Sequence, residues 1–396
     1  MTHNWVYKRL GDVCSIERGG SPRPIADYIT DSPDGVNWIK IGDAKEGSKY
    51  ITSTKEKIKK EGVKKSRYVH KGDFILSNSM SFGRPYILDV DGCIHDGWLV
   101  IHDDNNVFIK DYLYYLLASP VMYSKFKQLA VGGVVNNLNS ALVRKVEVPI
   151  PDMITQEIIV KELDKINKLI SLKRQQLKDY ESLSKSIFFE MFGDLKNNPM
   201  GFEVRTMDSI CENMTKGPFG SDIKKDLYVP KSPETYKVYI QVNAIAKDHT
   251  LGEYHISKEY FESKMRRFEV KPGDYIITCD GTLGKYIRLP ENIEKGIISA
   301  SLLRLTLNDN VTCKYFEYLW ENYVLGELVK DTRNTALVHL PAASKIGKVV
   351  VPIPPHEMQV KFSNVINKIE NIQFQVQKSI QDLETLLASR MQYWFD

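Results

Sequence analysis

Two short loops, GGSPRP at 19–24 and KGPFGSD at 216–222, combine cations and small hydroxyls with glycine. Those residue types suit the reading of nucleic-acid base edges. Arg and Lys donate to guanine, Asn and Gln pair bidentately with adenine, and Ser or Thr serves either. Glycine lets a backbone come close to a phosphate. A second matched pair, SNSMSFGR at 77–84 and TCDGTLGK at 278–285, closes a strand-like run with small polar residues and a cation. The candidate DNA contacts in the first half are Gly19, Gly20, Ser21, Arg23, Ser77, Asn78, Ser79 and Arg84. In the second half they are Lys216, Gly217, Ser221, Thr278, Asp280, Thr282 and Lys285. Lys40 and Gln241 are placed at the same repeat position on matching strands, with Asn243 just beyond the latter. Asn136, Asn137 and Asn139 precede a return strand, near the position of Arg333 and His339 in the second half. Gly, Pro, Asn and Ser also dominate ordinary turns. Their recurrence in both halves, with changed identities, favours recognition.

No enzyme motif accompanies them. The nearest approach to a phosphate-binding P-loop, Gly281-Thr282-Leu283-Gly284-Lys285-Tyr286, has the wrong spacing and no hydroxyl after the lysine. No G-x-G-x-x-G follows a strand, and no H-E-x-x-H or Cys/His cluster occurs at metal spacing. The Asn/Asp-Pro-Pro-aromatic tetrapeptide by which many amino-methyltransferases hold a target base is missing, since Pro354-Pro355-His356 lacks the polar lead residue. Pro33-Asp34 followed by Asp43 and Lys45 resembles a nuclease pattern, but Pro33-Asp34-Gly35 reads as a turn, and His95-Asp96 as a surface pair. The sequence predicts no catalytic, cofactor-binding or metal-ligating residue.

Composition bounds the partners. The net charge of +4 is mild for a nucleic-acid binder, so cations must be locally arranged or a partner must supply part of the phosphate contact. Five cysteines without a C-x-x-C pair exclude a disulfide framework, and Cys14 and Cys211 read as buried free thiols. A reducing cytoplasm is expected, and no apolar run approaches a membrane span.

The elements that must position these residues come twice. VPIPDMITQE at 148–157 returns as VPIPPHEMQV at 351–360, VHKGDFILS at 69–77 as VKPGDYIIT at 270–278, and RLGDVC at 9–14 as TMDSIC at 206–211. Such self-similarity outranks local signals and marks duplicated domains. The parts are a mixed domain at 1–150, a helical stretch at 151–195, a second mixed domain at 196–353 and a second helical stretch at 354–396. The fold class is α+β.

Each helical stretch begins after Pro-x-Pro, which fixes an extended lead-in. A heptad-like seam runs Ile159, Leu163, Ile166, Ile170, Lys173, Leu177, Tyr180, Ser184, Ile187, Met191. The second copy reads Phe362, Val365, Ile369, Ile372, Val376, Ser379, Leu383, Leu386, Arg390. About 40 residues of helix make a rod of about 60 Å. The two rods are expected to pair as an antiparallel coiled coil joining the duplicated mixed domains, a molecular ruler. Scaffold positions repeat while the presumed reading residues differ, so two different half-sites should be recognised.

At this point the chain resembles a specificity subunit of a type I restriction–modification system, over its whole length. The markers are the x-P-I-P segments at 148–151 and 351–354, with Gln156 and Gln359 five residues after the second proline. The G-D-aromatic-aliphatic strands at 72–75 and 273–276 and the GPFGS loop at 217–221 add to them. Such families usually carry Glu before the glutamine, where Thr155 and Met358 stand here.

The resemblance implies two target-recognition domains, each followed by a helical spacer, that select a bipartite double-stranded DNA sequence with a non-specific gap. It implies two methyltransferase subunits bound along the spacers, modifying adenines with S-adenosylmethionine. Two motor-nuclease (restriction) subunits, using ATP and Mg, complete the restricting form. This chain itself would catalyse nothing and hold no cofactor. The alternative from the residues alone is a non-enzymatic coiled-coil adaptor with two protein-binding domains, and a third is a nuclease using Asp34, Asp43 and Lys45.

Overall fold

The computed structural model describes residues 5–45, 47–78, 83–130, 138–330 and 339–396. The chain divides into two compact units, Met1–Gln176 with Val376–Asp396, and Leu177–Gln375. Both mix sheet and helix, and each contains a part of two 40-residue helices, Met153–Phe192 and His356–Phe395. Among the described residues no helix is long and apolar enough to cross a membrane.

In the first unit one sheet has the strand order Ser15–Arg18, Trp98–His102, Phe74–Ser77, Pro85–Leu88, Tyr50–Ile51. The other runs Ile29–Thr30, Glu56–Ile58, Val36–Ile39, Gly92–Ile94, Arg67–Val69. The second unit repeats the plan with Cys211–Lys216, Leu302–Leu307, Tyr275–Thr278 and Tyr286–Arg288, and with His255–Ile256, Tyr236–Tyr239 and Gly296–Ile298. Each unit ties its first strand to its last by a separate antiparallel pair, Val6–Arg9 with Glu147–Ile150 and Glu203–Thr206 with Val350–Ile353.

Strand register fixes the residue equivalences between the units. Ile94 lies opposite Ile39 as Ile298 lies opposite Tyr239, so Lys40 corresponds to Ile240 and Gln241 to Ile41. The expected Lys40–Gln241 match is therefore one residue out of phase. Identical cap geometry agrees: the Lys40 N–H donates to Asp43 Oδ2 at 2.9 Å and the Ile240 N–H to Asn243 Oδ1 at 2.8 Å.

The first unit's core gathers Leu10, Ile16, Leu76, Leu99, Tyr112 and Leu116 around Ile159 and Leu163 of one long helix and Met391 and Phe395 of the other. Elsewhere in the first unit Arg390 is paired with Glu162, and the exposed Arg174 Nη2 lies 2.7 Å from Glu384 Oε1. Rising numbers on one helix meet falling numbers on the other, as an antiparallel pair requires. The second unit packs Phe188, Phe192, Tyr315, Trp320, Phe362 and Ile366 in the same way.

The seam expected on the first long helix is present, with Phe188 and Phe192 buried beside it. On the second it runs instead through Phe362, Ile366, Ile369, Val376 and Ile380, while Val365, Ile372 and Leu386 are exposed. Apolar residues stand on both candidate faces there, so spacing alone did not decide between them.

The two glutamines explain the duplicated PIP–Gln signature. Gln156 is fully buried; its Oε1 accepts the Ile109 N–H at 2.7 Å, and its Nε2 donates to the Val107 and Pro151 carbonyls, each at 3.0 Å. Gln359 accepts from Thr312 N–H at 2.9 Å and donates to Asn310 and Pro354 carbonyls at 3.3 and 2.9 Å. Tyr112 and Tyr315 likewise donate to the carbonyls of Pro149 and Pro352, at 3.0 and 2.8 Å. Each long helix is thus stapled at its start to the loop that leads into an earlier helix of its unit, Lys110–Ala118 or Cys313–Leu319.

Candidate nucleic-acid interface

The glycine loops leave the strands Ser15–Arg18 and Cys211–Lys216 and press onto the turn before the neighbouring strand. A Cβ on Gly19 would lie 2.2 Å from the His95 carbonyl oxygen, and one on Gly217 would lie 1.9 Å from that of Ser299. The Gly19 N–H donates to Trp98 O at 2.9 Å and the Gly217 N–H to Leu302 O at 2.8 Å. Both glycines serve close backbone approach. The second pair of loops is pinned by buried hydroxyls. Ser77 Oγ accepts the Arg84 N–H and Thr278 Oγ1 the Lys285 N–H, each at 3.0 Å. Ser77 and Thr278 are 1% and 0% exposed, so their hydroxyls hold the loops and cannot reach a base edge.

In the first unit the loop at 19–24 borders an open pocket of about 720 Å³, with Lys40, Glu56 and His95 on its polar side and Trp38 and Pro22 on its apolar side. Lys40 Nζ is ion-paired with Glu56. Asp96 gathers the surrounding loops. Ser21 Oγ donates to its Oδ1 at 2.9 Å and Arg23 approaches its Oδ2 at 3.4 Å. Its backbone carbonyl accepts from Arg18 Nε and Asn78 Nδ2, both at 3.0 Å. Burial alone would raise the Asp96 carboxyl, but the Ser21 hydroxyl, the neighbouring His95 ring once protonated at acid pH, and the Arg18 and Arg23 charges hold it below the usual carboxylate range.

The His95 imidazole is held below its ordinary pKa by burial, against the pull of Asp96 and with the help of Lys40. It is therefore neutral at pH 7. Its Nδ1 accepts the Gly97 N–H at 2.8 Å, which leaves the ring proton on Nε2. Lys40, Arg23 and His95 Nε2 are donors and Glu56 and Asp96 are acceptors on one rim, the combination needed to read a base pair.

In the second unit the equivalent rim carries different groups. Register equates Trp98 with Leu302, so Ala300 stands where Asp96 does. The Asp280 carboxylate meets the His339 imidazole at 2.5 Å. Lys216 Nζ donates to Leu340 O at 2.8 Å, while Ser221, Thr282 and Lys285 are exposed. Phe219, at the tip of its loop, is 76% exposed.

Some expected contacts are used up by the fold. Asn243 is fully buried, capping Ile240 and donating to the carbonyls of Asp248 and Leu251 at 2.9 and 2.8 Å, so it cannot meet a base. Asn78 is 1% exposed. Asn139 spends its oxygen on the Leu142 N–H at 3.0 Å, as the cap of a short helix. Gly20 donates to Ile94 O at 3.1 Å, Arg84 is half-buried, and Gln241 is half-buried at a helix start. Ser79, Asn136, Asn137 and Arg333 lie outside the described residues. Asp43, of the nuclease-like pattern, accepts the Lys40 and Lys55 N–H groups at 2.9 and 3.1 Å. No group of His, Cys, Asp or Glu able to hold a metal occurs among the described residues.

Sequence reasoning missed Glu56, Asp96, Phe219, Arg266 and Arg267. Asp96 was set aside as half of a surface pair, and Glu56 lacks any motif. The adjacent arginines at 266–267 stand just ahead of a repeated strand and were the one legible signal among these.

A family model described as the type I restriction modification DNA specificity domain matches residues 2–181. The type I restriction enzyme MjaIX specificity subunit of Methanocaldococcus jannaschii is 23% identical over 411 residues, covering 96% of this chain and 91% of that protein. Among solved structures, a chain from a study of complex assembly and conformational transition of the type I R-M system aligns with a TM-score of 0.66. It shares 17% identity and covers 98% of this chain and 96% of its own. The type I restriction-modification S subunit of M. genitalium aligns with a TM-score of 0.50 and 13% identity, covering 99% and 96%.

Proposed function

We propose, from the match of residues 2–181 to the type I restriction modification DNA specificity domain, that the whole chain is the sequence-reading subunit of a type I restriction-modification complex. The first unit reads one half-site and the second unit another, separated by a non-specific gap. The long helices seat methyltransferase subunits, which supply S-adenosylmethionine chemistry, and motor-nuclease subunits where restriction occurs. The chain acts in the cytoplasm and performs no catalysis.

One observation carries this reading: the two units share key scaffold contacts at matching positions but differ at the rim. Gly19 and Gly217, Ser77 and Thr278, and Gln156 and Gln359 do the same work in each. Where the first unit has Ser21, Lys40 and Asp96, the second has Phe219, Ile240 and Ala300 at the corresponding positions. Equal frames with unequal rims are what two unlike half-sites demand.

Exchanging residues 1–150 for another recognition domain should alter one half of the methylated motif and leave the other unchanged. Long-read mapping of methylated adenines in the host reads this directly. Alteration of both halves, or of neither, would refute two independent readers.

Lys40 allows a finer test. Lys donates to guanine O6 and N7, and Glu accepts from cytosine N4, so the Lys40–Glu56 pair fits a G·C pair read across both strands. Lys40→Ala should relax one position of the first half-site at a cost of about 1–3 kcal/mol. Binding measured to duplexes varied at single positions checks it; an equal loss on every sequence would make Lys40 a phosphate contact.

A further inference from the structure

A groove on the second unit, about 1170 Å³, lies beside the reading loop and is lined by residues including Gly217, Phe219, Arg266, Arg267, Lys271 and Arg304. Three features set it apart. Arg266 and Arg267 are exposed on a short turn, and neither has an ion-pair partner among the described residues; Arg267 rests its guanidinium 4.4 Å from the centre of the Phe268 ring. Beneath them Arg304 is only 8% exposed. Its Nη2 donates to Asn213 Oδ1 at 3.0 Å and its Nη1 to the Glu269 carbonyl, both neutral groups, and its Nε has no partner. A buried charge normally has a counter-charge at hand. Here no carboxylate lies within ion-pair distance of it among the described residues.

The first unit has the same backbone without the same vacancy of charge. Tyr68 lies opposite Cys93 as Glu269 lies opposite Ile297, so Lys65 corresponds to Arg266. Lys65 Nζ is bonded to Tyr28 OH at 2.5 Å, and the nearby Arg67 pairs with Glu17 at 2.7 Å. Glu17 corresponds to Thr215 in the second unit; Glu212, Glu269 and Asp274 also line the groove, but among the described residues none of them is ion-paired with Arg266, Arg267 or Arg304.

We propose that this groove is a phosphate clamp: Arg266, Arg267 and Lys271, over the buried charge of Arg304, hold the DNA backbone beside the second half-site. The ligand is the phosphodiester of duplex DNA, since a single trapped anion would not fill an open groove that runs on from the reading loop. The clamp rests on the recognition reading above. It assigns the second unit a larger share of the sequence-independent affinity than the first.

The test compares the methyltransferase complex carrying Arg266→Ala/Arg267→Ala with the unmutated complex and with Arg266→Lys/Arg267→Lys. Each is titrated with a duplex bearing the mapped motif and with a scrambled duplex, at several salt concentrations. The alanine variant should lower the slope of log affinity against log salt by about 2. Raising salt fourfold should then weaken it about tenfold less than the unmutated complex. The loss at low salt should be the same on both duplexes, and the lysine variant should keep the slope. An unchanged slope overturns the clamp, as does a loss confined to the motif duplex, which would make the arginines base readers. The slope is measurable on either duplex, so it still judges the clamp if the unmutated complex fails to discriminate, the outcome that would defeat the recognition reading instead.

Discussion

Replacing Gln156 by leucine is expected to destabilise the first unit by about 3–5 kcal/mol, because one buried and two half-buried backbone groups lose their partner together and each costs about 1–3 kcal/mol when left unpaired away from water. The groups are the Ile109 N–H and the carbonyls of Val107 and Pro151. Leucine fills a similar volume, so the effect isolates hydrogen bonding from packing. Gln156→Glu is a useful companion, since it keeps an acceptor for Ile109 but offers the two carbonyls no amide donor. Gln359→Leu should do the same to the second unit through Thr312, Asn310 and Pro354. Denaturant unfolding followed by tryptophan fluorescence checks both; a shift below about 1 kcal/mol would mean that water replaces the amide in full.

Gly217→Ala should be the most damaging single methyl group in the recognition loops. The added carbon would stand 1.9 Å from the Ser299 carbonyl oxygen and 2.7 Å from its carbon, backbone atoms that cannot swing away. The loop at 217–221 must lift off the sheet and break the Gly217–Leu302 bond of 2.8 Å. A stability loss of about 2–3 kcal/mol is expected, in the upper range for single substitutions. Methylation of the intact two-part motif should fall by about a hundredfold, equivalent to about 2.7 kcal/mol in binding. Gly220→Ala, three residues along, meets nothing within 4 Å and should leave stability and methylation unchanged. Equal behaviour of the two variants would show that loop position does not matter to recognition.

The duplication made most of the fold legible. Repeated strings located the strands at Phe74–Ser77 and Tyr275–Thr278 and the starts of both long helices. The helix seam was readable where only one face is apolar, from Ile159 to Met191, and slipped where Val365 and Ile372 compete with Ile366 and Ile380. Polar loop residues were harder to assign. Ser, Thr and Asn at loop edges are equally suited to hold the loop or to face a ligand, and the difference is a rotation of one side chain. Ser77, Thr278 and Asn243 turned inward and became staples; Arg23, Thr282 and Lys285 stayed outside. Lys40 and Gln241 were misaligned because both follow a strand ending in an aliphatic or aromatic run, and only the ladder register separates them.

One property of the first unit bears on how the chain comes off the ribosome. Residues 177–375 form the second unit from one continuous stretch, whereas the first is closed by residues 376–396, with Phe395 in its core and Trp394 stacked 6.3 Å from Trp5. The domain made second can therefore mature before the domain made first, whose apolar floor waits for residues 376–396 to be synthesised. Until then the nascent chain carries an open site that fits a helix of this kind, and a neighbouring copy's tail could fill it as well as its own.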